Sequence, residues 1–222
     1  MKSPLNLVKS LLAVAGVAAL SALSAAPASA FTFSNIAGGD TPGDAYASNF
    51  GFNVINQGNS VLFDIFHYQT AAPAGIFISK VFFDDNGYLS QPWVNANNNV
   101  GQVAFTGGAN NDQLPQGGNN FTTDYSFTRN PGNGNANGIQ AGEKLQLAFA
   151  GNYNNVVTAL NDGSLRLGLH VQALPNGASD SYISSNGNTQ DTPEPLTMLA
   201  AGAAVGFGTM FKKQRDRVQK AE

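Results

Sequence analysis

The chain has 222 residues, with 11 Lys and Arg against 14 Asp and Glu, for a formal net charge of −3. Residues 31–190 hold only Lys80, Arg129, Lys144 and Arg166 against ten acids, a net of −6, and an acidic, Lys-poor body excludes a nucleic-acid partner, which needs clustered basic side chains. Cysteine is absent, which removes disulfides, thiolate metal sites and Cys nucleophiles together.

In chain order, Met1–Ala30 reads as a secretory signal peptide. Lys2 and Lys9 supply the positive start, Leu11–Leu20 the apolar run, and Ala28-Ser29-Ala30 the small-residue cleavage site. The mature chain is expected to begin at Phe31. Residues 31–183 then alternate apolar and polar side chains in short runs broken by Gly and Asn, the pattern of strands joined by turns. Phe31–Ile36, Asn49–Ile55, Val61–Phe66, Ile76–Phe83, Val103–Thr106, Asp124–Thr128, Leu145–Phe149 and Leu165–Gln172 are the predicted strands. Such a set predicts one all-β domain, a β-sandwich of jelly-roll type. One short helix is expected at Asn155–Asn161, stopped by Gly163 and plugging one end. Asn95–Gln102, Gly107–Asn120 and Asn130–Gly138 read as long loops without hydrophobic anchors. Ser184–Thr192 reads as a polar linker.

Residues 193–222 form a three-part ending. Pro193-Glu194-Pro195 comes first, then the uncharged stretch Leu196–Phe211, then a basic cluster of Lys212, Lys213, Arg215 and Arg217. As a helix the uncharged stretch rises about 24 Å, slightly less than a ~30 Å hydrocarbon core. Thinning of the bilayer or snorkelling of the flanking lysines absorbs that difference. The basic cluster stays cytoplasmic by the positive-inside rule. A translocated chain is therefore expected to pause here as a transient inner-membrane anchor, body outside and tail inside.

The motif, the apolar helix and the terminal basic cluster, together with a signal peptide at the other end, resemble the PEP-CTERM sorting domain of Gram-negative bacteria. The resemblance covers about 30 residues of this end, and the tail Val218–Glu222 runs slightly longer than the family's usual ending. It implies an exosortase-type membrane protease as a partner, processing near Pro193-Glu194-Pro195, and residence at the outer surface or in exopolysaccharide or biofilm matrix. Gly39-Asp40-Thr41, Asn161–Gln172 and Ser179–Tyr182 also resemble a body type recurrent among such proteins, one that brings no catalytic residues with it.

Catalytic patterns are sparse. His67 and His170 are the only histidines. His170 with Asp180 could start a triad, but no Gly-x-Ser-x-Gly elbow accompanies them. No HExxH and no His cluster offers a zinc site. No GxGxxG or Walker sequence is present. Asp84 and Asp85 are adjacent, so they point to opposite sides of a strand, and with Asn86-Gly87 they read as a turn rather than as a glycosidase pair. The expectation is a protein that is not an enzyme and has no resident cofactor. Calcium is the one metal with candidate donors: Asp84, Asp85 and Asn86, Asp40 with Asp44, and Asp180. Gly107–Leu114 looks like a single degenerate calcium-binding β-roll nonapeptide, a motif that works by stacking several copies. Trp93, in Ser90–Val94, is read as a loop aromatic and a candidate sugar contact, with Asn-rich loops to satisfy hydroxyls. The leading expectation is a non-catalytic surface or matrix protein. A carbohydrate- or calcium-binding module is the alternative, and a secreted hydrolase the minor one.

Overall fold

The computed structural model describes residues 28–36, 41–68, 75–109 and 112–190. Eleven strands form one antiparallel sheet: β1 (Ala28–Asn35), β2 (Phe50–Gln57), β3 (Ser60–His67), β4 (Phe77–Asp85), β5 (Leu89–Val94), β6 (Phe105–Ala109), β7 (Tyr125–Arg129), β8 (Ile139–Gln140), β9 (Lys144–Gly151), β10 (Leu165–Gln172) and β11 (Asp180–Gln190). Their order is β5-β9-β3-β2-β1-β11-β10-β4-β7-β6, with β8 beside β4. The sheet curls until its two ends nearly meet: a Cβ placed on Gly108 of β6 would stand 3.8 Å from Pro92 Cγ of β5. The all-β class is thus as the alternation predicts, in the form of one nearly closed antiparallel sheet.

The alternating apolar side chains point inward. Phe31, Phe52, Phe63, Phe83, Phe127 and Phe149 all belong to one buried cluster. Phe63 of β3 meets Phe83 of β4 edge-on, with ring centroids 5.1 Å apart, although the two strands are not neighbours in the sheet. Phe83 also packs against Phe149 at 4.8 Å. Each such ring pair adds about 0.5–1.5 kcal/mol beyond the area it buries.

Helix α1 (Tyr153–Asp162) agrees with the predicted helix. The Asn152 side chain accepts from Asn155 N at 3.1 Å, and Gly163 ends the helix in the left-handed region at φ 81°. Val156, Ala159 and Leu160 join the core.

Several expectations need correction. Ser90–Val94 lies in strand β5, not in a loop. The strand carries an irregularity between Ser90 and Trp93, with Gln91 at φ 48° and Pro92 beside it, and proline at an edge strand hides the strand signal. The polar linker is largely strand: β11 runs to Gln190, pairing Gln190 with Ala30 and Thr189 with Phe31. The body therefore extends past Ile183, on backbone hydrogen bonds that polar composition does not advertise. Gly107–Asn120 does not lack anchors. Gly107–Ala109 ends β6, and Leu114 with the following Phe121 buries against Phe82, forming a second small core on the outside of the sheet. Gly168 of β10 makes room for it, since a Cβ there would lie 2.7 Å from Leu114 Cδ2.

Candidate functional site

The outer face of β5, β9, β3, β2 and β1 is ordered in cross-strand rows. One row is apolar: Trp93 faces Ala148, Ala148 faces Leu62, Leu62 faces Ile55, and Ile55 faces Ala28. Trp93 stands at its end, 41% exposed. The irregularity at Gln91-Pro92 aims the indole outward over the buried Ala148.

The next row is polar and closely tied. Lys144 Nζ donates to Asp64 Oδ2 at 2.9 Å, and Gln146 Nε2 donates to Asp64 Oδ1 at 2.6 Å. Gln146 Oε1 accepts from Asn95 Nδ2 at 2.6 Å and from Asn98 Nδ2 at 2.8 Å. Asn99 Oδ1 accepts from the Gln146 backbone N–H at 2.9 Å. Asp64 and Gln146 are buried, so this network fixes the Asn95–Asn99 loop against the sheet. A third row carries Phe66, stacked on Tyr68 at 6.0 Å. Tyr68 is 39% exposed, with its hydroxyl over Gly51 of β2. Burial on its inner side raises its pKa. By strand spacing and rise, Trp93 and Tyr68 lie roughly 20 Å apart on one face. That puts an aromatic near each end of this outer face with amides between, stacking and hydrogen-bonding groups of the kind that hydroxylated rings use.

Among the described residues the calcium donors do not converge. Asp84 pairs with Arg166 across β4 and β10. Asp85 accepts from Tyr88 N at 2.9 Å and Leu89 N at 3.1 Å, capping the turn between β4 and β5. Asn86 Nδ2 donates to the Ser164 carbonyl at 2.6 Å. Asp44 accepts from Asn35 Nδ2 at 2.8 Å. Asp180 lies buried beneath Gly43 and accepts from Ser181 N at 2.8 Å. Asp112 of the nonapeptide holds Lys80 at 2.6 Å. Asp40, Asn110 and Asn111 lie outside the described residues. Among the described residues no group of three His, Cys, Asp or Glu is placed to hold a metal ion.

Nor do His170 and Asp180 form a dyad. His170 is opposite Ser181 and Asp180 opposite Val171, so the two side chains leave opposite faces of the sheet. His67 is buried against the Phe50 ring at 5.0 Å, and neither ring nitrogen makes a hydrogen bond of ordinary geometry. Burial lowers its pKa, against weaker opposite pulls from the Ile139 carbonyl and Glu143. Two carboxylates do meet at Asp85 and Asp124, a pairing the sequence did not signal. Asp124 Oδ2 accepts from the Asp85 backbone N–H at 2.7 Å. Burial first, and Asp124 after it, raise the Asp85 pKa, while the turn amides oppose them. The partners of both are backbone amides of the turn.

Of the address residues, Ala28 and Ala30 lie in β1. Pro193, Glu194, Pro195, Lys212, Lys213, Arg215 and Arg217 lie outside the described residues. Among the described residues no helix is long and apolar enough to cross a membrane. No family model, no curated protein and no solved structure matches this chain.

Proposed function

We propose that the chain is an exported, non-catalytic protein of the cell surface or extracellular matrix, sorted through its Pro193-Glu194-Pro195 ending by an exosortase-type protease and held in or near exopolysaccharide. The observation that carries the reading is the pairing of β1 with β11. Ala30 lies opposite Gln190, so the first residues of β1 and the last residues of β11 lie at the same end of one strand pair. A precursor built this way can keep both apolar segments in one membrane while the body folds outside it. Removal of residues 1–30 trims Ala28–Ala30 from β1 and leaves the buried Phe31 and Phe33 in place. The same reading takes the curled sheet as a flattened, jelly-roll-like sandwich, supported by the Phe63–Phe83 contact across the interior.

Alanine at Pro193, Glu194 and Pro195 together tests the sorting step. The expected outcome is a longer species accumulating in the inner-membrane fraction, with loss from the surface and supernatant. Unchanged fractionation and length would remove exosortase from the account.

A second reading adds glycan contact on the outer face, favoured by the exposed indole of Trp93 beside the fixed amide row. Titration with the organism's own exopolysaccharide is expected to shift Trp93 fluorescence. A flat titration sinks the aromatic platform.

A further inference from the structure

A cavity of about 270 Å³ opens on the opposite half of the sheet, lined by Ser79, Lys80, Thr128, Arg129, Pro131 and Gln172. Residues from β4, β7 and β10 meet there, because Lys80 pairs with Thr128 on one side and with His170 on the other. The body has four basic side chains in residues 31–190, and two of them line this one cavity. Lys144 pairs with Asp64, Arg166 with Asp84 and Lys80 with Asp112. Arg129 has no carboxylate partner among the described residues. Its guanidinium lies over the Phe77 ring, 5.1 Å from the centroid, and donates from one nitrogen to the Gly134 carbonyl. Stacking and that single bond hold the fork in place and leave further donors unused. A guanidinium held in place, with donors unused and no carboxylate partner among the described residues, is a ready contact for an anion.

We propose that this cavity binds a carboxylate-bearing sugar, the uronic-acid unit of an acidic polysaccharide. Arg129 takes the carboxylate, where its planar fork matches two oxygens. Lys80, partly committed to Asp112, adds a second donor. Thr128 and Gln172 offer hydroxyl and amide groups to ring hydroxyls, while Ser79, buried and donating to the His170 carbonyl at 2.9 Å, forms the floor, and Pro131 offers an apolar surface to a ring face. The volume sits just under the ~300–1,000 Å³ of pockets for drug-sized ligands, which suits one sugar unit of a chain that continues into solvent. The inference rests on the matrix reading above and narrows its ligand to an anionic glycan.

The test is calorimetric titration of the full chain with trigalacturonate, with neutral cellotriose and inorganic phosphate as comparison ligands. Trigalacturonate is expected to bind, and to bind at least tenfold more weakly to Arg129→Gln and at raised salt. Cellotriose and phosphate are expected not to displace it. Thr128→Val, which keeps every charge, is expected to weaken binding by a smaller factor, and it guards against misfolding of the charge variant. No binding of trigalacturonate, equal binding by Arg129→Gln, or equal displacement by phosphate each overturns the assignment. Those results leave the protein's location untouched. Failure of the matrix reading shows separately, as absence of the protein from surface and supernatant fractions.

Discussion

At the scale of single residues, the largest stabilising units are buried rings. Phe83 touches Phe63, Phe127 and Phe149 at once, so Phe83→Ala removes three ring contacts and leaves a cavity. A loss of about 3–5 kcal/mol in urea unfolding is expected, with an unchanged m-value. Histidine sets the acid limit. Burial lowers the pKa of both His67 and His170. Lys80 lowers that of His170 further, while Asp112 and the Asp180 backbone oppose it. A lowered histidine contributes its full stability above the unfolded value of about 6.5 and loses it as pH falls through the folded value. The melting temperature is therefore expected to fall between pH 7 and pH 5, with a shallower fall in His67→Phe. Asp85 acts in the opposite sense at lower pH, because its raised pKa lets the fold bind a proton before the unfolded chain does. An equal slope in wild type and His67→Phe would show that His67 is not a source of the loss.

At the scale of elements, what the sequence revealed depended on how each strand is buried. β4 is covered on both faces, by the main core and by Leu114 with Phe121, and its run of apolar residues was legible for that reason. β10 is half-buried and alternates cleanly. β11 was hidden because Ser184–Gln190 is polar and joins the sheet through its backbone. Trp93 could be singled out as an unusual aromatic, but its strand was masked by Pro92. Gln146, Asp64 and Lys144, which fix the surface beside it, lie on two separate strands that no local pattern connects. The cavity at Arg129 was equally illegible, since Lys80 and Arg129 are remote in sequence and meet only through the pairing of β4 with β7. The extent of β11 carries its own prediction. A chain ending at Ile183 loses Ser184, whose hydroxyl accepts from Leu167 N at 3.0 Å, and loses the pairing with Phe31 and Phe33. Relative to one ending at Gln190, it is expected to lose about 2 kcal/mol and to melt roughly 4–8 °C lower. Equal melting temperatures would place the end of the body at Ile183.

At the scale of the whole molecule, the sheet brings its first and last strands together. A nearly closed sheet has few free edges to offer another chain. It carries its polarity largely in amides and hydroxyls, and the acids among its described residues are mostly committed to named partners. Among the described residues, two aromatics are exposed on one face, Trp93 and Tyr68, and a cationic cavity opens on another, at Arg129. On the proposed reading, both are contacts for a long, hydroxylated, anionic polymer. On the same reading, the two terminal addresses decide where those surfaces act, and the end of the β1–β11 pair that holds Ala30 and Gln190 faces the membrane in the precursor.

Mass spectrometry of both termini of the native protein, taken from cell-envelope and supernatant fractions, tests this most directly. The account predicts a mature species that starts at Phe31 and lacks Leu196–Glu222, found outside the inner membrane. A species that starts at Phe31 but retains Lys212–Lys220 in the inner-membrane fraction would contradict it, leaving the sheet as a permanently anchored periplasmic body.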